Sequence, residues 1–355
     1  MSLEEMRKQI DEVDDKIVRL IAERTRQSQA IGREKQKSSK PVEDAAREKN
    51  VLAHISAIAR EEKLDEKEIR NIYLQIIKSA KSVQGVVVAF QGETGAYSED
   101  AAYQFFGYSV TAWPCETFDA VFTQVEKGDA PYGVVPVETS LDGSISRVYD
   151  LLLNSNLKVC GELDLRVSHC LIANHEATLD TIRKIYSHPQ ALGQSQVFLK
   201  HLGRELISSY DTAGSVRMIK EQHITDGAAV ASERAAEIYD MKILARGIED
   251  NPNNFTRFFI LAKKDALPTG RDKTSVVLSV KHQPGALYKV LKEFADNNIN
   301  LTKIESRPTR QKAWEYNFYL DFEGHYQDKI VKETLARLEQ HSLFLKVLGS
   351  YPRSL

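Results

Sequence analysis

The chain has 355 residues, 42% hydrophobic and 28% charged, which suits a soluble globular protein long enough for two or three domains. With 48 Lys/Arg against 50 Asp/Glu, the charge balance gives no reason to expect nucleic acid or a membrane as partner. Three cysteines, Cys115, Cys160 and Cys170, are odd in number and lack C-x-x-C spacing. That points to free thiols rather than a zinc or redox site, and the absence of an apolar leader or a run of roughly 20 apolar residues makes the cytoplasm the expected location.

Apolar residues recur at helical spacing from Leu3 to about Lys37. A helix of that length is roughly 50 Å long, more than a small monomeric domain covers. Two further helices are expected, at about 43–63 and from Asp65 to about Gln84, the second opened by the pair Asp65 and Glu68. Three helices so unequal predict a bundle shared by two copies of the chain. The row Leu3, Ile10, Ile17, Ile31 is interrupted by Arg24; the neighbouring row carries Arg7 and Lys35, and Asp44, Arg47 and Glu48 share one face of the second helix. Such charges read as a solvated face with incidental salt bridges or as a pocket for a small dianion.

After SVQG (82–85), strands such as VVVAF, YGVVPV, KIYS and RFFIL alternate with helical stretches. This predicts an α/β fold with mostly parallel strands, in two lobes with a cleft between them. A polar linker at 266–273 leads to a βαββαβ order, which is ferredoxin-like. The domain boundaries expected are 1–84, 86–264 and 272–355.

The first region, through MRKQIDEVDDKIVRLIAER, IGREK and KPVEDAAREK, resembles the all-helical chorismate mutase family. The resemblance implies that Arg7 from the other subunit, Arg24 and Arg47 hold the carboxylates of chorismate. It further implies that Lys35, Glu48 and Gln84 contact the ether oxygen and ring hydroxyl, and that Asp44 orients its neighbours. A pericyclic rearrangement needs no nucleophile, only a compact conformer and donors aimed at the breaking C–O bond. Ala80 stands where the family often has serine.

In the α/β region five polar motifs fall at strand ends or helix starts: QGETGAYSE (91–99), VPVETSLDGS (135–144), SHPQALGQ (187–194), DTAGSV (211–216) and NPNNFTRF (251–258). The two glycines of the first would leave backbone N–H groups free to cradle an anion. On its own NPNNFTRFFIL suits a loop and a half-buried strand, with Arg257 reaching to water. Together the five resemble prephenate dehydratase. That family has a two-lobed fold like periplasmic binding proteins of type II, and its substrate prephenate lies in the cleft. By motif match Thr256 is the catalytic hydroxyl, and Glu138, Ser187 and Gln194 are cleft residues; Arg257 suits a carboxylate anchor. Thr139 occupies a substrate-binding position where asparagine is usual, and Ser195 one where cysteine is frequent. Roles for both Thr256 and Arg257 in the cleft require an irregular backbone at 254–256, because strand neighbours point to opposite faces.

The last region resembles an ACT domain of the phenylalanine-binding kind. The segments Gly285, Ala286, Leu287 and Glu305, Ser306, Arg307 would enclose the amino acid between paired domains, and Tyr288 is larger than usual there. No metal or cofactor is implied. The whole reads as a bifunctional mutase and dehydratase, a homo-oligomeric dimer or tetramer, inhibited by phenylalanine. The alternatives are a dehydratase preferring arogenate, a transcriptional regulator with a two-lobed effector domain, and a non-catalytic amino-acid sensor.

Overall fold

The computed structural model describes residues 3–37, 45–82, 86–108, 110–309 and 315–354, without the side chains of 3, 29–37, 45–50 and 78–82. The chain divides into two units, Met1–Val87 with Tyr103–Thr111, and Val88–Ala102 with Ala112–Leu355.

The first unit is helical: α1 (Leu3–Lys37), α2 (Ala45–Glu61) and α3 (Glu66–Ser82). Helix α1 runs for 35 residues, as its periodicity predicts. Asp65 Oδ1 accepts from Glu68 N at 2.9 Å, so the predicted cap opens α3. Leu52, Ile55, Ala59 and Ile77 form a small buried seam between α2 and α3. In α1, by contrast, Ile10, Val13, Ile17 and Leu20 are 47–63% exposed.

In the second unit the chain builds one lobe from β1 (Val87–Gln91), α4 (Tyr97–Phe106), β2 (Thr111–Cys115), α5 (Phe118–Lys127), β3 (Tyr132–Thr139), β4 (Gly143–Ser144), α6 (Ser146–Asn154) and β5 (Lys158–Arg166). The other lobe follows with β6 (Cys170–Ala173), β7 (Lys184–Ser187), α7 (Pro189–Gly193), α8 (Gln196–Leu202), β8 (Glu205–Ser208), α9 (Thr212–Glu221), β9 (Gly227–Ala231), α10 (Glu233–Ile238) and β10 (Lys242–Arg246). Strand β11 (Phe255–Ala262) then returns to the first sheet, whose order is β2-β1-β3-β11-β5, while the second is β10-β6-β9-β7-β8. The expectation of mostly parallel strands is corrected here. Because β11 re-enters from the far lobe, it pairs antiparallel with both β3 and β5, and β6 pairs antiparallel with β9 and β10.

The C-terminal region is β12 (Asp272–Ser279), α11 (Ala286–Asp296), β13 (Leu301–Pro308), β14 (Tyr316–Glu323), α12 (Lys329–His341) and β15 (Phe344–Pro352), with sheet order β13-β14-β12-β15. This is the predicted ferredoxin-like βαββαβ arrangement. One sheet face carries Val276, Leu278, Leu320 and Phe322 to a core with Val290, Phe294 and Leu338 of the two helices. The alternate residues Ser275, Tyr319, Asp321 and Tyr351 are also buried, because that face lies on the first lobe along β5. At Gly349 the two backbones meet so closely that a Cβ would stand 2.1 Å from the Val159 carbonyl oxygen.

Candidate active site: the interlobe cleft

Two segments cross between the lobes, one after β5 and one before β11, and they are bonded to each other. Val167 N donates to Asn254 O (2.8 Å) and Ile248 N to His169 O (3.0 Å). The buried Glu249 carboxylate accepts from His169 N at 2.9 Å. The loop after β3 is stitched to the same place: Ser140 Oγ donates to Asn253 O (3.0 Å) and accepts from Phe255 N (2.9 Å). The NPNN turn is closed locally by Asn251 Oδ1, which accepts from Asn253 N at 2.9 Å.

Thr256 stands opposite Thr139 of β3 and Leu165 of β5. It is 8% exposed, and its hydroxyl has no hydrogen-bond partner among the described residues. Thr139 Oγ1 accepts from Asp142 N at 2.9 Å, so the residue that replaces the usual asparagine caps the turn leading into Asp142. Asp142 in turn accepts from Gln190 Nε2 (2.7 Å) and Gln194 Nε2 (2.9 Å). Gln194 Oε1 accepts from Asn254 Nδ2 at 2.9 Å and lies 3.1 Å from His169 Nε2, while His169 Nδ1 is 2.9 Å from the Tyr97 hydroxyl. Burial, set against the Gln194 contact and Glu249, holds the His169 pKa below its ordinary value. Tyr97, His169, Asp142 and Asn254 were not singled out from the sequence; HCLIA read only as a strand, and a lone histidine there carries no motif.

Other sequence-predicted residues lie elsewhere, and each difference has a local cause. Arg257 follows ordinary alternation and points to the opposite sheet face from Thr256. The pairing of β11 with β3 is irregular only after Arg257, between it and Phe258, so the irregularity expected at 254–256 does not turn Arg257 into the cleft. Its guanidinium instead meets Glu162 Oε2 (2.6 Å), Asp321 Oδ2 (2.6 Å) and Tyr351 OH (3.1 Å). Burial opposes its charge, but Asp321, Tyr351 and Glu162 outweigh burial and raise its pKa. Glu138, the register partner of Arg257, shares that face and pairs with Lys303 at 2.8 Å. Ser187 is wholly buried, its Oγ donating to Val230 O at 2.6 Å across β7 and β9. The QGETG turn is no open anion cradle either: Gly92 N donates to Cys115 O, Ala96 N to Glu93 O and Gly95 N to Glu99 Oε2. Glu93 is itself held by Arg217 (2.7 Å) and Tyr210 (3.0 Å) of the second lobe.

In the helical unit Arg7 is exposed, whereas Arg24 has a buried Nη1 with no hydrogen-bond partner among the described residues. Lys35 falls on α1, and Arg47 and Glu48 fall in the first turn of α2, but their side chains lie outside the described residues, as do Asp44 and Gln84 entirely. In the C-terminal region Gly285 (φ +79°) caps α11, where only glycine is unstrained. Ala286 and Leu287 line a cavity of about 580 Å³ with His282, Asn317 and Phe344. Glu305 and Arg307 point instead to α6 and the strand before it. Glu305 bonds Ser144, and Arg307 donates to Ser146 Oγ at 2.7 Å. Ser306 pairs with Phe318 on β14.

Three family models match this chain in order: chorismate mutase type II over residues 6–85, prephenate dehydratase over 88–266 and the ACT domain over 274–340. A bifunctional chorismate mutase/prephenate dehydratase from Aquifex aeolicus is 40% identical over 359 residues, covering 99% of this chain and 98% of its own. Among solved structures, the prephenate dehydratase from Arthrobacter aurescens in complex with L-Phe is 32% identical with TM-score 0.70, covering 76% of this chain and 90% of its own. GqqA, described as a quorum quenching acylase, is 35% identical with the same TM-score, covering 76% and 98%. No helix among the described residues is long and apolar enough to cross a membrane. With all three modules in order and a full-length relative at this identity, the chain belongs to the bifunctional chorismate mutase/prephenate dehydratase family, an isomerase and a lyase in one polypeptide.

Proposed function

We propose that the interlobe cleft is the dehydratase site, with Thr256 at its reacting centre and Gln194 among its substrate-binding groups. The observation that carries this reading is Thr256, a nearly buried residue whose hydroxyl has no partner among the described residues. A hydroxyl so placed is open to a ligand, and here that ligand is the substrate. In the reaction the ring carboxylate of prephenate leaves as CO₂ and its bonding pair moves into the ring. The C–O bond then breaks towards a hydroxide, which takes one proton and departs as water. Thr256 hydrogen-bonds that oxygen and passes it a proton regained from solvent. Gln194 contributes to the cleft floor, and Thr139 acts through the turn it caps.

For the mutase we propose that a second copy of the chain covers the exposed apolar row of α1 and brings its Arg7 to a site formed by Arg24, Lys35, Arg47 and Glu48, with Asp44 and Gln84. The unpartnered Nη1 of Arg24 supports it, because a buried cation without an anion is costly. The boundaries proposed are 1–84, 86–264 and 272–355, in a cytoplasmic homo-oligomer whose three cysteines form no disulfide. Phenylalanine is proposed to bind at Gly285–Leu287, beside the cavity, and to inhibit the dehydratase by favouring a less active arrangement. Glu305, Ser306 and Arg307 would complete that site only from a partner domain, since in their own chain Glu305 and Arg307 are engaged with the lobe. Incubation with chorismate, prephenate or arogenate, each with and without phenylalanine, tests all of this. Phenylpyruvate should form from chorismate and prephenate and fall with phenylalanine; no turnover of prephenate would overturn the cleft assignment.

A further inference from the structure

Resting on the dehydratase reading, we infer that Asn254 is a second substrate-contacting residue: its Oδ1 accepts the hydrogen of the ring hydroxyl that leaves, while Thr256 bonds the oxygen of the same group. Asn254 is 1% exposed, and its Oδ1 is buried with no hydrogen-bond partner among the described residues. Its backbone already runs as an extension of β11, since Asn254 O takes the Val167 N–H at the end of β5. Residues two apart on a strand share a face at about 7 Å. Asn254 and Thr256 therefore place an amide oxygen and a hydroxyl, each without a partner among the described residues, on one face.

The amide is not free to turn over. Asp142 is an acceptor, so it must face the NH₂ of Gln194, and the Gln194 oxygen then faces Asn254 Nδ2 and His169 Nε2. That order assigns the N–H of His169 to Nε2 and leaves Nδ1 an acceptor 2.9 Å from the Tyr97 hydroxyl, whose one hydrogen also faces Ser168 O at 2.7 Å. From Asp142 to Asn254 each link then has one polarity, and the Asn254 oxygen is left as an acceptor with no partner among the described residues. Prephenate carries two carboxylates, a ketone and one hydroxyl; that hydroxyl is its only hydrogen-bond donor. Accepting its hydrogen makes the oxygen a better base towards Thr256, and the departing water is then held at both ends. His169 acts as a positioning residue, Gln194 orients Asn254 in addition to its substrate-binding role, and Tyr97 completes the line.

The test pairs enzyme and substrate changes. In the full-length protein, Asn254→Ala should lower kcat on prephenate by about 100-fold and raise KM by up to about tenfold, with a retained cooperative thermal transition of the domain that carries Asn254 as the folding control. A competitive analogue in which hydrogen replaces the ring hydroxyl should bind wild-type enzyme about tenfold more weakly than prephenate. In Asn254→Ala that preference should largely vanish, and His169→Phe should reduce it in part. Asn254→Asp keeps an acceptor and should recover at least tenfold over alanine. Near-normal kcat in Asn254→Ala, or an unchanged preference for the hydroxyl, overturns the inference. No prephenate turnover by the wild-type enzyme would instead overturn the reading on which it rests.

Discussion

Arg257 separates two accounts of the TRF motif, and the separation is quantitative. Its guanidinium is 13% exposed and lies between Glu162 and Asp321, 1% and 7% exposed. Removing one partner of a buried ion pair costs about 3–5 kcal/mol, because the remaining charge stays buried. In Arg257→Ala two carboxylates are affected, each with a remaining donor: Lys273 on Glu162 at 2.7 Å and Ser275 on Asp321 at 2.5 Å. The lower end, about 3 kcal/mol, is therefore expected, which lowers Tm by about 6–12 °C in a unit of this size. Asp321→Asn should destabilise through the same contact, and the double variant should fall short of the sum of the singles by about 1–3 kcal/mol. Thermal unfolding gives the stabilities, and prephenate kinetics give kcat and KM. A KM raised about 100-fold or more in Arg257→Ala, with Tm unmoved and Asp321→Asn silent, would refute the docking role and restore a carboxylate anchor.

Thr256→Ala should cut prephenate turnover by about 10²- to 10⁴-fold yet change stability by less than about 1 kcal/mol, since its hydroxyl forms no bond among the described residues; a calorimetric scan and an assay on one preparation check both. Lys35→Ala should abolish chorismate turnover while leaving the dehydratase at its wild-type rate, measured with prephenate supplied directly. Asp100 has its pKa raised to about 7 by burial, against Arg234 and helped by Glu99. A carboxyl whose folded pKa is raised costs stability only once ionised, so stability should fall as pH rises from about 4 to 7. Asp100→Asn should accordingly raise Tm at pH 8, by up to about 4 kcal/mol in stability, and leave it unchanged at pH 4; equal effects at both would contradict the assignment. Gly349→Ala should cost about 3 kcal/mol or more, because a rigid carbonyl blocks the new methyl; an unchanged Tm would show that the contact with Val159 is not kept in solution.

How far the sequence could be read depended on whether a signal was local. The length of α1, the Asp65 cap and the C-terminal βαββαβ order rest on periodicity and turn chemistry within one segment, and all appear in the structure. Apart from the two-residue β4, the strands left unread, β2, β8 and β10, are sheet edges whose residues other than Cys115 are exposed or half-buried, and β2 contains Pro114, which weakens a strand signal wherever it falls. The antiparallel insertion of β11 depends on a return from another lobe, which no window of sequence contains. Thr256 and Gln194 are expected as site residues through motif resemblance alone, and the partners of Gln194 come from a helix start, an interlobe crossing and a turn, each ordinary alone.

Strand β11 explains why motif proximity misled at Arg257. Consecutive residues of a strand serve different faces, and both faces of this one are covered: the cleft floor on the Thr256 side, the C-terminal domain's sheet on the other. The docking face is polar at its centre, where Arg257, Glu162, Asp321, Lys273 and Tyr351 meet, and its rim holds Lys303 with Glu138 and Glu305. Buried charges matched in this way add little net stability over an apolar interface, but they penalise any shifted register, because a displaced carboxylate loses its partner. Glu138 stands beside Thr139, whose side chain fixes the turn to Asp142, as Arg257 stands beside Thr256. A displacement of the C-terminal sheet by one strand register would therefore disturb the backbone of both cleft residues at once, without any effector touching the cleft.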